Sequence, residues 1–129
     1  MVRMAELNHT IVLSHDKRAG ATYLTEILGL AQPQPFGPFQ VVETANGVSL
    51  DYLDAAADTE IASQHYAFLV SDAEFDAAFA RIRERGGEYW ADPGRTRAGE
   101  INTNDRGRGV YFEDPSGHLM EILTVPYGG

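Results

Sequence analysis

The order of secondary-structure signals runs twice along this chain, and that repetition limits the fold more than any other feature. Leu7, His9, Ile11 and Leu13 alternate with Asn8, Thr10 and Val12 at strand period. Asp16 then stands as a helix N-cap. Lys17–Leu28 reads as a helix with Tyr23, Leu24, Ile27 and Leu28 on its apolar face, and Gly29 closes it in a left-handed turn. Pro33, Pro35, Gly37 and Pro38 mark a loop. Residues 39–44 read as a strand, Asn46-Gly47 as a two-residue hairpin turn and 48–53 as the returning strand. Residues 54–63 are small, polar and acidic, as a linker is. The order then restarts with a strand over 64–70 and a helix opened by the capping box Ser71-Asp72-Ala73-Glu74, with Phe75, Phe79 and Ile82 inward. Gly86-Gly87 stops that helix. Weaker strand signals cover 88–90 and 99–103, and a firmer one covers 110–113. Asp114-Pro115-Ser116-Gly117 is a turn before a last strand over 118–125. His9 and His65 hold matching places in the two copies, 56 residues apart. Such self-similarity points to duplicated modules, the first over 1–54, a linker over 55–63 and the second over 64–129. Two small sheets, each with a helix on one face, give an α+β fold whose free faces meet or curl into a cleft.

The 129 residues suffice for one domain with a real core, and 43% hydrophobic with 22% charged residues is ordinary for a globular chain. A net charge of −9 repels phosphate backbones and anionic lipid, so nucleic-acid binding is not expected. No apolar run is long enough for a membrane span, and the start Met1-Val2-Arg3 lacks the layout of a secretory leader, so the expectation is a cytoplasmic protein. There is no cysteine, which excludes disulfides, thiolate metal sites and cysteine nucleophiles. Any metal must be held by nitrogen and oxygen. Seven of the nine arginines lie between Arg81 and Arg108, as a solvated helix face and loop would place them.

Three residues carry chemical potential. His9, His65 and Glu121 each lie within a predicted strand, with apolar neighbours two residues away. A carboxylate on such a face is costly unless paired or bound to a cation. Two imidazoles and a carboxylate suit Fe, Mn, Zn, Ni or Co and leave open positions for substrate. The competing reading is a pair of hydrogen-bonded core histidines and a solvent-facing Glu.

Longer segments carry a resemblance. Tyr23-Leu24-Thr25-Glu26-Ile27-Leu28-Gly29-Leu30 resembles the first helix of the vicinal oxygen chelate superfamily, which comprises glyoxalases, bleomycin-resistance proteins and extradiol dioxygenases. Asp114-Pro115-Ser116-Gly117-His118-Leu119-Met120-Glu121, after Val110-Tyr111-Phe112, resembles its last hairpin. Leu7-Asn8-His9 and Gln64-His65-Tyr66-Ala67-Phe68 resemble its two histidine strands. The resemblance spans essentially the whole chain. It implies paired βαβββ modules forming a half-open, mostly antiparallel barrel-like sheet around a metal cleft. It also implies one divalent metal per site, held by His9, His65 and Glu121.

Asp51, in Leu50-Asp51-Tyr52, falls where Glu121 falls in the second copy, and is the candidate fourth ligand on the glyoxalase pattern; the alternative is a cavity-lining acid. The resemblance places Tyr111 toward the cavity, where its phenol is a candidate donor or acid/base, the alternative being a packed ring with a satisfied hydroxyl; Glu121 is the other catalytic candidate. Trp90 is a candidate pocket wall, and Arg106 and Arg108 are candidates for a substrate carboxylate. His15 and His118 read as structural or exposed. The string His65-Tyr66-Ala67-Phe68 is also similar to fosfomycin-resistance transferases, but residues 104–109 lack the serine and lysine those place around a phosphonate. The implied activity is therefore metal-dependent glyoxalase or dioxygenase chemistry on a small metabolite chelated through adjacent oxygens. The alternative is metal-free sequestration of a drug in the bleomycin-resistance manner. A homodimer is implied, in which the first module of one chain faces the second module of its partner.

Overall fold

Capping residues decide where both helices start. The Asp16 carboxylate accepts from the N–H groups of Arg18 and Ala19, and α1 runs Lys17–Leu28 to Gly29, whose φ of 69° is the left-handed turn expected there. Ser71 and Glu74 form the reciprocal capping box, and α2 runs Asp72–Glu84. A computed structural model describes residues 4–127. Residues 1–3 and 128–129 of the expected modules, including the start read as leaderless, lie outside them.

The strands form two four-stranded mixed sheets. Sheet one has the order β1–β4–β3–β2, from β1 (His9–Ser14), β2 (Gln34–Phe36), β3 (Phe39–Glu43) and β4 (Ser49–Asp54). Sheet two has the order β5–β8–β7–β6, from β5 (His65–Leu69), β6 (Tyr89–Trp90), β7 (Gly109–Glu113) and β8 (Leu119–Leu123). In each, the strand before the helix pairs parallel with the last strand, and the remaining pairs are antiparallel. The architecture is the paired-module α+β fold expected from the sequence.

Each helix covers one face of its sheet. Ala21 and Leu24 of α1 pack on Val12, Val42, Leu50 and Tyr52. Gly20 sits where helix and sheet come closest: a Cβ there would lie 2.8 Å from Ser14 Oγ and 3.1 Å from the Tyr52 ring. Phe75, Ala78 and Ile82 of α2 pack on Val110, Phe112, Met120 and Ile122, with Ile27 of α1 added. Leu28, Tyr66 and Phe68 lie against both cores and join them. Arg81 ties the helices by donating to the Ile27 carbonyl at 3.0 Å.

His118 fastens the modules. Its Nδ1 accepts from the Gln64 N–H (3.0 Å) and its Nε2 donates to the Leu13 carbonyl (2.7 Å). The ring is thereby fixed as the neutral tautomer protonated on Nε2. Ser116 Oγ accepts from the His15 N–H nearby.

Three local expectations need correction. The proline-rich loop contains the short strand β2; Pro35 is tolerated because β2 lies at the sheet edge, where a missing N–H breaks no ladder. Asn46-Gly47 is not a two-residue turn, because β3 and β4 pair last at Glu43 and Ser49, leaving a loop over 44–48. Only Gly47 has positive φ there, and Thr44 Oγ donates to Asn46 Oδ1 to hold the wider turn. Residues 99–103 make a single isolated bridge, Asn102 to Gly109, and Asn102 is buried with its side-chain amide donating to the Ala91 carbonyl. No helix among the described residues is long and apolar enough to cross a membrane.

Candidate metal centre

The face of each sheet away from its helix stays open, and strand alternation puts the candidate residues on it. In β1 the outward set is His9, Ile11 and Leu13; in β5 it is His65, Ala67 and Leu69. Cross-strand register extends these rows. Trp90 pairs with Tyr111, Tyr111 with Glu121, and Glu121 with Ala67, so one rung carries Trp90, Tyr111 and Glu121 side by side. In sheet one, Asp51 pairs with Ile11, one rung beyond His9, as Glu121 lies one rung beyond His65. Asp51 thus holds in sheet one the place that Glu121 holds in sheet two.

Glu121 is 2% exposed, and its Oε1 lies 3.0 Å from His65 Nε2. The other nitrogen of His65, Nδ1, lies 3.0 Å from the Leu119 carbonyl oxygen, which can only accept. Nδ1 therefore carries a hydrogen. With Nδ1 turned to that carbonyl, Nε2 faces a carboxylate oxygen, so a proton or a cation between the two satisfies both. A backbone carbonyl fixing the far nitrogen of a metal-binding imidazole is also the usual support for such a ligand. The donor set at this pair therefore fits two positions of a divalent ion.

Tyr111 stacks on His65 at 5.9 Å between ring centroids and 30° between planes. Burial first, and then the Glu121 carboxylate, hold its hydroxyl well above the usual phenol range. Tyr111 is accordingly a hydrogen-bond donor at neutral pH. Trp90 is buried beside it, with the Arg95 guanidinium 5.6 Å from its ring and paired to Glu113 at 2.8 Å.

His9 does not join this pair within the chain. It lies in sheet one, exposed, with Nδ1 2.7 Å from Asn8 Oδ1. Asp51 accepts from Ser49 Oγ at 3.0 Å in the same sheet. Among the described residues, no three His, Asp or Glu side chains gather closely enough to hold a metal ion. Arg108 grips the start of α2, with Asp76 at 2.7 Å, Asp72 at 3.1 Å and the Phe75 ring beneath it at 4.4 Å. Arg106 is exposed in the turn Asn104–Arg106, with a positive φ of 64°. Beside His65, between β5 and the 44–48 loop, lies a crevice of about 520 Å³ with Leu7, Val48, Leu50, Tyr66, Phe68 and Leu69 in its walls.

One site residue had no signal in the strand pattern. Tyr127, beyond the end of β8, donates its hydroxyl to Glu121 Oε1 at 3.2 Å. The only hint in the sequence is Pro126, which lies three residues past the end of β8 and restricts the backbone of the tail.

The chain belongs to the glyoxalase/bleomycin resistance protein/dioxygenase superfamily, whose family model matches residues 6–122. Among solved structures, oxidase ChaP-H1 is similar at a TM-score of 0.94 and 61% identity, over 98% of this chain and 100% of that one. Glutathione transferase FosA of Serratia marcescens is 25% identical over 123 residues, which is 92% of this chain and 80% of FosA. Metallothiol transferase FosB of Shouchella clausii (strain KSM-K16) is 38% identical over 60 residues, 46% of this chain and 37% of FosB. The chain therefore matches little more than a third of FosB's length.

Proposed function

We propose that this chain is a divalent-metal-dependent enzyme of glyoxalase or dioxygenase type, acting as a cytoplasmic homodimer on a small molecule that presents two adjacent oxygens. The observation that carries the reading is the buried Glu121 carboxylate 3.0 Å from His65 Nε2, with the other ring nitrogen backed by the Leu119 carbonyl. The likeness to oxidase ChaP-H1 favours an oxidative outcome over isomerisation. The bound ion supplies Lewis acidity toward the paired substrate oxygens and, where it is iron, redox chemistry with dioxygen. Fe, Mn, Zn, Ni and Co all suit nitrogen and oxygen donors. Around it the chain's own groups orient the reactants. Tyr111, protonated and stacked on His65, donates to an oxyanion on the substrate. Trp90 walls the pocket, and water is kept from Glu121 by the rings around it. Arg106 and Arg108 remain candidates for a substrate carboxylate; the pairing of Arg108 with Asp72 and Asp76 favours Arg106 of the two.

A second copy completes the site. The open faces carry apolar side chains that water covers poorly, with Ile11 48% and Leu69 61% exposed. Sheet one of one copy laid against sheet two of another buries both. It also brings His9 and Asp51 of one chain to His65 and Glu121 of the other, a four-donor set if Asp51 reaches.

Elemental analysis of the purified dimer, before and after chelation and reloading, tests the reading. One divalent ion per chain is expected, with His65→Ala losing it. A protein that takes up none of Fe, Mn, Zn, Ni or Co overturns the reading and leaves metal-free sequestration of a drug in its place.

A further inference from the structure

The tail after β8 is tethered before it reaches the site. Thr124 exchanges two bonds with Arg108: its N–H donates to the Arg108 carbonyl at 3.0 Å, and its hydroxyl accepts from the Arg108 N–H at 2.9 Å. Gly107 lies directly beneath. A Cβ there would come within 2.7 Å of Val125 Cγ2, 2.8 Å of Thr124 Oγ1 and 3.0 Å of Val125 Cβ, so only glycine admits the tail at this distance. Pro126 then restricts the backbone, and Tyr127 returns across the open face to Glu121. Its hydroxyl meets Oε1, the oxygen that also faces His65 Nε2. The Tyr127 ring is 55% exposed while the carboxylate under it is 2% exposed, so the ring is a cover held by its polar tip rather than a core residue.

We propose that Tyr127 is a positioning residue of the metal centre: its hydroxyl fixes the rotation of the Glu121 carboxylate, and its ring shields that carboxylate from water. The proposal rests on the metal-centre reading above. The Glu121 carboxylate faces His65 Nε2 and the Tyr111 hydroxyl, and Tyr127 adds a donor from the tail; a ligand that is already oriented loses less entropy on binding an ion. Tyr127 acts through Glu121.

The test is a cobalt(II) titration of the metal-free dimer, read by visible absorption and by a competing chelator, with wild type, Tyr127→Phe and Gly107→Ala compared. The phenylalanine variant keeps the cover and loses the hydroxyl. The alanine variant keeps both and displaces the tail. Both are expected to bind cobalt about 10–100-fold more weakly than wild type and with an altered ligand-field spectrum, the range found for lost outer partners of metal ligands. Unfolding midpoints within experimental error of wild type for Tyr127→Phe exclude a general loss of structure, which would not change the spectrum of the fraction still bound. Wild-type affinity and spectrum in Tyr127→Phe overturn this proposal alone. Failure of the wild-type dimer to bind cobalt overturns it together with the metal-centre reading.

Discussion

Asp114 is buried at the foot of the last hairpin with its two oxygens treated unequally. Oδ1 accepts from the N–H groups of Ser116 (3.0 Å) and His118 (2.9 Å), while Oδ2 is buried without a hydrogen-bond partner. Burial pushes the carboxyl above its ordinary value of 3.8, although the two N–H groups pull the other way. Tyr23, Tyr52 and Tyr66 face the same charge, and burial with that charge drives their hydroxyls upward, that of Tyr23 to about 12. Because the folded value is raised, Asp114 supports the fold fully below pH 3.8 and loses that support as pH climbs through the raised value. Asp114→Asn keeps an oxygen for both N–H groups and removes the ionisation. Urea unfolding at a series of pH values is expected to show the variant gaining on wild type as pH rises from about 4 toward neutrality; parallel curves would contradict this. At this scale the sequence was partly legible. His9, His65 and Glu121 stood out because a polar group on an apolar strand face breaks a period of two. Tyr127 did not, because its role depends on a tail that returns through space and on the close approach at Gly107, neither of which leaves a periodic trace.

Helix ends were the most legible elements, since a cap is a local contract between a side chain and N–H groups two or three residues on. α1 occupies Lys17–Leu28, the span its sequence predicts, and α2 begins after Ser71 as its capping box requires. Ser71→Ala removes the bond from the Glu74 N–H and is expected to lower stability by about 1 kcal/mol, read as a shift in the urea midpoint with unchanged slope. No shift would mean that packing of Phe75 and Ile82 alone sets the helix start. Strand edges were less legible. β2 has too few residues for a pattern, and its proline argues against a strand unless the edge position is known. The 44–48 turn shows why: the Asn46-Gly47 dipeptide predicts a two-residue turn, whereas the pairing of Glu43 with Ser49 sets the register and the loop adapts.

Across the whole molecule the duplication was legible from order alone, and it accounts for the placement of chemistry. Each sheet carries one histidine and one acid, a rung apart on the open face: His9 with Asp51, His65 with Glu121. What the order could not reveal is which two faces meet. That choice depends on shape and buried area between surfaces, not on any local run of residues. Within one chain the two faces keep their donors apart, and no three of them gather among the described residues. A centre with three protein ligands among these residues therefore needs donors from two copies. Chains carrying His9→Ala and chains carrying Glu121→Ala, unfolded and refolded together, test this directly. A heterodimer of the two retains one complete set, the His9 of one chain with the His65 and Glu121 of the other. Cobalt(II) titration is expected to find one tight site per heterodimer and none in either parent. A mixture that binds no more than its parents would contradict the shared centre.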